Sequence, residues 1–229
     1  MFSCYYPRMS KKNITHLIVG PIATNCWLYP LGEKEAAVID PGAEEDLIIS
    51  TLNKLNLTPR YILLTHGHFD HIAALPELTE ACSGKPEIAI HKLDSKYLGA
   101  DAYNVHRPSI IAAMGDASYI DVFLPAGKKE MPPADFLLEE GGTIGPFTVL
   151  HLPGHTGGSA AFWDKDEGVI FTGDTLFKGN YGRTDLPDGS ERDIFNSLHR
   201  LFAMDGSIEV YPGHGDTTTI ACEASRGML

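Results

Sequence analysis

Cysteine is sparse in this 229-residue chain, with four scattered residues (Cys4, Cys26, Cys82 and Cys222) and no Cys-x-x-Cys pair. That argues against a disulfide-built scaffold and a thiolate metal site, and leads us to expect reduced thiols in a cytoplasmic protein. Basic charge is also short: 18 Lys and Arg stand against 30 Asp and Glu, a formal net charge of -12. The local basic pairs, Lys11-Lys12 and Lys128-Lys129, read as solvated loop ends. A nucleic-acid partner, which needs a basic face to displace counterions, is therefore not expected. Nor is there an apolar run long enough to span a bilayer, so no membrane partner is expected. Met1 to Asn13 has no continuous apolar core of the kind a secretory signal carries, and reads as a frayed tail over 1–13. Residues 14–229 suit one domain of ordinary soluble composition, 43% hydrophobic.

What the chain does have is a dense block, Thr65-His66-Gly67-His68-Phe69-Asp70-His71, directly after the apolar run Tyr61-Ile62-Leu63-Leu64. Neutral imidazole and ionised carboxylate suit zinc, iron or manganese, and one chain turn cannot aim all four donors at a single ion. The block asks for two metals, with further ligands from elsewhere. His155 in Pro153-Gly154-His155, Asp174 in Gly173-Asp174-Thr175 and His214 in Gly213-His214-Gly215 supply them. Each follows a strand-like apolar run and sits beside glycine, which lets the backbone turn sharply and approach an ion closely. Seven donors at the ends of four strands describe a dinuclear site with a water position left open. A lone histidine is usually a hydrogen-bonded core or surface residue, and His16, His91, His106, His151 and His199 are read so.

The pattern of elements is strand-rich, then mixed, then the same again. Strands are expected over 14–19, 24–29, 35–39, 61–65, 87–90, 147–152, 159–163, 169–172 and 208–211. Helices are expected over 43–55, 70–82 and 190–202, the last capped by Ser190. Others are expected around 108–114 and from Asp216. The stretch 92–133 is irregular. Two mixed sheets packed face to face, helices outside, would put every ligand loop along one edge.

These residues resemble the metallo-β-lactamase fold superfamily, an α+β, αββα four-layer sandwich with a metal site at one sheet edge. The His-x-His-x-Asp-His block, Asp40-Pro41-Gly42, His155, Asp174 and His214 follow the superfamily's order. Gly173-Asp174-Thr175-Leu176-Phe177 and Gly182-Arg183-Thr184-Asp185 resemble the short, single-domain glyoxalase II-like hydrolases. The resemblance implies two divalent ions, zinc first and iron or manganese as alternatives. His66, His68 and His155 would hold one, and Asp70, His71 and His214 the other. Asp174 would bridge them, Asp40 would steady the ligands from behind, and Arg183 would hold the glutathione part of a substrate.

The implied reaction is hydrolysis of a small thioester such as S-lactoylglutathione by a metal-bridging hydroxide, with Asp70 as the catalytic proton acceptor. Metal binding can bring a water's pKa from about 15.7 to about 7. A thiol of pKa roughly 8.5 can leave as the thiolate without a strong general acid. The chain ends too soon after His214 for the C-terminal helical domain that full-length glyoxalase II uses to grip glutathione, so the chemistry is better supported than that substrate. A mono-iron persulfide dioxygenase of the same fold, and a non-catalytic metal-dependent sensor or scaffold, are the alternatives.

Overall fold

Strands β2 (Thr24–Pro30), β3 (Glu35–Ile39) and the end of β4 (Thr58–Leu64) are buried almost residue by residue, the mark of a sheet covered on both faces. The computed structural model describes residues 12–82, 84–123 and 130–227. The first of its two sheets starts with β1 (Thr15–Val19), antiparallel to β2, which is antiparallel to β3. From β3 onward the sheet is parallel through β4, β5 (Glu87–His91) and β6 (Phe136–Leu138). The second sheet runs β7 (Thr143–Ile144), β8 (Phe147–His151), β9 (Ala160–Asp164), β10 (Val169–Gly173), β11 (Glu209–Pro212) and β12 (Thr218–Thr219) in that order. It is antiparallel except for the β10–β11 pair.

The sheets meet through alternate residues. Trp27, Tyr29, Ile39 and Leu63 of the first face Phe147, Val149, Phe162 and Phe171 of the second. Phe171 is the hub, its ring 5.7 Å from Tyr29, 5.9 Å from Phe147 and 5.1 Å from Tyr211, centroid to centroid. On the first sheet's outer face lie α1 (Glu45–Lys54), α2 (Phe69–Ile72), α3 (Leu75–Ala81), α4 (Ala102–Met114) and α5 (Ile120–Phe123). On the second's lie α6 (Glu191–Phe202) and α7 (Ile220–Ala224). The layers are the αββα sandwich expected. Among the described residues no helix is long and apolar enough to cross a membrane.

Three expectations need correction. The single helix expected over 70–82 is two, because Pro76 has no N–H to return to Ile72 and its ring crowds that carbonyl. The helix expected near 108–114 starts earlier, at Ala102, and runs through Pro108, because burial of Ala102, His106 and Ile110 outweighs one lost bond. The C-terminal helix starts at Ile220, not Asp216, because Thr218 and Thr219 first pair with β11 and Thr219 then caps the helix. Of the expected tail, residues 1–11 lie outside the described residues, with Cys4 and Lys11; Lys128 and Lys129 do too. Lys12 is no loose end: its Nζ lies 3.7 Å from Asp164 Oδ2 and 4.5 Å from the Tyr29 ring centroid.

Phe171→Ala would leave a cavity where four aromatic rings meet. It should destabilise the protein by about 3–5 kcal/mol, read as a lower denaturation midpoint at unchanged slope. A loss below about 1 kcal/mol would show that the interface collapses around the gap.

Candidate metal centre

Four strands deliver the seven donors to one edge of the sandwich. β4 ends at Leu64 and the chain turns at once, so that His68 caps the one-turn helix α2 and Asp70 and His71 ride on it. β8, β10 and β11 end at His151, Gly173 and Pro212, shortly before His155, Asp174 and His214. The loops are tied across the sheets: Ala160 N–H donates to the Thr65 carbonyl at 2.8 Å, and Asn25 N–H to the Gly213 carbonyl at 2.7 Å. Gly213 has no alternative, since a Cβ there would lie 2.2 Å from Asp174 Oδ1.

The donors converge. One ligand atom each from His66, His68 and His155 falls within 4.8 Å of the others, and the same holds for Asp70, His71 and His214. Asp174 stands between the two sets: its Oδ1 is 3.3 Å from His71 Nε2, and its Oδ2 is 3.5 Å from His155 Nε2 and 3.6 Å from His214 Nε2. Asp70 Oδ2 lies 3.3 Å from His71 Nε2 and 3.4 Å from His214 Nε2.

The hydrogen bonds behind the rings fix which atom faces inward. Nδ1–H of His71 donates to Asp40 Oδ2 at 3.0 Å, that of His155 to the Arg183 carbonyl at 2.8 Å, and that of His214 to the Ala23 carbonyl at 3.3 Å. Thr65 Oγ1 gives its proton to Asp40 Oδ2, so it accepts from His66 Nδ1 at 3.1 Å. Four rings thus turn Nε2 inward, the nitrogen that metal-binding histidines offer. His68 is reversed: its Nδ1 lies 2.8 Å from His155 Nε2. His66 Nε2, His68 Nε2 and Asp174 Oδ1 are buried with no hydrogen-bond partner. Orphaned acceptors at this density cost several kcal/mol unless a cation meets them, so the residues present fit divalent ions.

Charge agrees with that fit. Burial, aided by neighbouring imidazoles, pushes His66 well below the ordinary histidine value and His68 down to about 3, leaving both neutral. Burial opposes charge on His71 too, but Asp70, Asp174 and Asp40 surround it and raise it well above the ordinary value. For Asp70 and Asp174 burial is overcome in the other direction, chiefly by His71, and both carboxyls stay ionised. Before any ion enters, the proton on His71 is the site's own counter-charge.

Two buried carboxylates brace the loops. Asp40, in a left-handed conformation (φ 52°), accepts from Thr65 N–H at 2.8 Å and Thr65 Oγ1 at 2.7 Å besides His71. Asp94 is its counterpart on the other side and was not foreseen. It accepts from Gly67 N–H at 2.9 Å, Thr156 Oγ1 at 2.7 Å and Gly158 N–H at 2.7 Å, joining the His66–His68 loop to the His155 loop. A lone Asp in an irregular stretch gave no signal, because its partners lie up to 64 residues away.

Arg183 meets the centre through its backbone carbonyl. Its guanidinium is paired with Asp185 through two 2.7 Å contacts and reaches the Ala113 carbonyl at 3.3 Å. The other histidines stay outside the cluster: His16 stacks on Trp27, and His91 stacks on His151. His106 Nε2–H donates to the Tyr97 carbonyl, and His199 sits in the last turn of α6.

A profile described as the metallo-beta-lactamase superfamily matches residues 19–214. The chain is similar to the hydroxyacylglutathione hydrolase GloC of Haemophilus influenzae, 35% identical over 212 residues that cover 92% of this chain and 94% of that protein. Among solved structures it is similar to TTHA1623 in a di-iron-bound form (TM-score 0.78, 35% identity, 93% of this chain and 98% of that one). It is also similar to the BLEG-1 B3 metallo-beta-lactamase (TM-score 0.76, 33% identity, 93% and 96%).

Two outcomes follow. Asp94→Ala should weaken binding of the ion held by His66, His68 and His155 by about 10–100-fold in a chelator competition, with the second ion less affected. Ion uptake must expel the proton that His71, raised above the ordinary value, holds in the ion-free protein. Affinity should therefore fall as pH falls from 8 to 6, by about tenfold per pH unit for each proton displaced. A flat profile would contradict this charge balance.

Proposed function

The chain belongs to the metallo-beta-lactamase superfamily, and from that premise we propose that it is a metal-dependent hydrolase of small thioesters, S-lactoylglutathione among them. The observation that carries the reading is the pair of donor triads with Asp174 between them. His66, His68 and His155 would hold one ion, Asp70, His71 and His214 the second, and Asp174 would serve both. We assign zinc from the imidazole–carboxylate donor set, which iron also suits. Bound there, the ions supply a water acidic enough to attack at neutral pH and a Lewis acid for the carbonyl.

The chain's own residues do the rest. Thr24 Oγ1–H donates to Asp70 Oδ2 at 3.0 Å, steadying the carboxylate that would orient the attacking water and take its proton. Asp40 keeps the His71 ring from turning when that proton moves, and Asp94 holds together the loops that carry His66, His68 and His155. Beyond the proton that Asp70 would take from the water, no dedicated acid stands by to protonate an amide nitrogen. A thiolate needs no such help, which favours thioesters. The similarity to a hydroxyacylglutathione hydrolase supports the same class. The Arg183 guanidinium is committed to Asp185 and the Ala113 carbonyl, so we assign it to bracing α4 rather than to gripping glutathione.

Zinc- and iron-loaded protein should hydrolyse S-lactoylglutathione and simpler thioesters. His68→Ala and Asp174→Asn should each lower kcat/KM on the order of 100-fold or more, with loss of bound metal. One iron per chain with oxygen uptake on glutathione persulfide, or full activity in Asp174→Asn, would overturn the reading.

A further inference from the structure

Beside the donors, lined in part by His68 and Asp70, lies a crevice that is open to solvent. Its walls are apolar: Ile22, Ile110, Met114, Phe123 and Leu186, with Phe69 beneath. Among the described residues no Lys or Arg lines it. His106 Nε2–H donates to the Tyr97 carbonyl at 3.0 Å. The Arg183 guanidinium pairs with Asp185 and reaches the carbonyl of Ala113, a wall residue. That contact ties α4 to the loop carrying Leu186 and so helps to hold the crevice's shape.

A thioester has two halves. The biological thiol carriers are polar or charged and need water or a cation beside them, whereas an acyl group can be wholly apolar. A crevice that begins at two of the proposed metal ligands and whose walls, among the described residues, are apolar and without a cation suits the uncharged half. We propose that it seats an apolar acyl group, so that this hydrolase selects thioesters by acyl chain rather than by glutathione. The assignment rests on the hydrolase reading for its chemistry, but the crevice can be tested without turnover.

N-acetylcysteamine thioesters with acetyl, butanoyl and hexanoyl groups should show kcat/KM rising about two- to fourfold per methylene, the gain expected from burying each one. Glutathione and N-acetylcysteamine esters of one acyl group should differ by less than the acetyl–hexanoyl pair. Met114→Trp, which fills the crevice, should flatten the gradient. Independently, the hexanoyl ketone analogue, with a methylene in place of the thioester sulfur, should shift the methyl NMR signals of Ile110 and Met114 in the wild-type metal-loaded protein. The acetyl analogue should leave them in place. Equal kcat/KM along the acyl series, or Ile110 and Met114 methyls unmoved by the hexanoyl ketone, would overturn the proposal. Shifted methyls with no thioester turned over would uphold the crevice and sink the hydrolase reading instead.

Discussion

Lone pairs and negative charge cannot be gathered in a protein interior without positive charge to answer them. Here Asp40, Asp70 and Asp174 crowd around one imidazole, His71, while His66 and His68 hold neutral rings against the same spot. The fold could relieve this by letting the loops open to water. Instead it locks them: Asp40 pins Thr65 and His71, and Asp94 pins Gly67, Thr156 and Gly158. The cost of convergence is accepted and the geometry kept, which is the signature of a site shaped around cations that arrive from outside.

Much of this was legible along the chain because the chemistry is concentrated. Seven donors of metal-seeking type, each after an apolar run and each near glycine, fixed both the site and the strand ends that carry it. Both sheet faces are covered, so apolar runs marked the strands more clearly than alternation would have done. Asp94 was not legible, because a buried acceptor declares itself only through donors brought near by folding. Nor did the chain announce that the exposed Arg183 guanidinium pairs with Asp185, two residues on. The two short edge strands, β6 and β7, have too few residues to show any period.

The crevice beside the donors is walled largely by α4 and α5, in the stretch whose pattern was least regular. That is where an αββα scaffold can change without disturbing its ligands. The strand ends fix the reacting groups, and the helices laid over the first sheet decide what reaches them. Chemistry and selectivity are therefore carried by different parts of the chain.

The donors also come from both sheets: His66 through His71 follow β4 of one, while His155, Asp174 and His214 follow β8, β10 and β11 of the other. Ions bridging these loops would clasp the open rim of the sandwich, closing a chain segment that runs from His66 to His214. Cofactor retention and mechanical cohesion would then fail together, so a cell short of the metal would hold less of the folded protein as well as less of its activity.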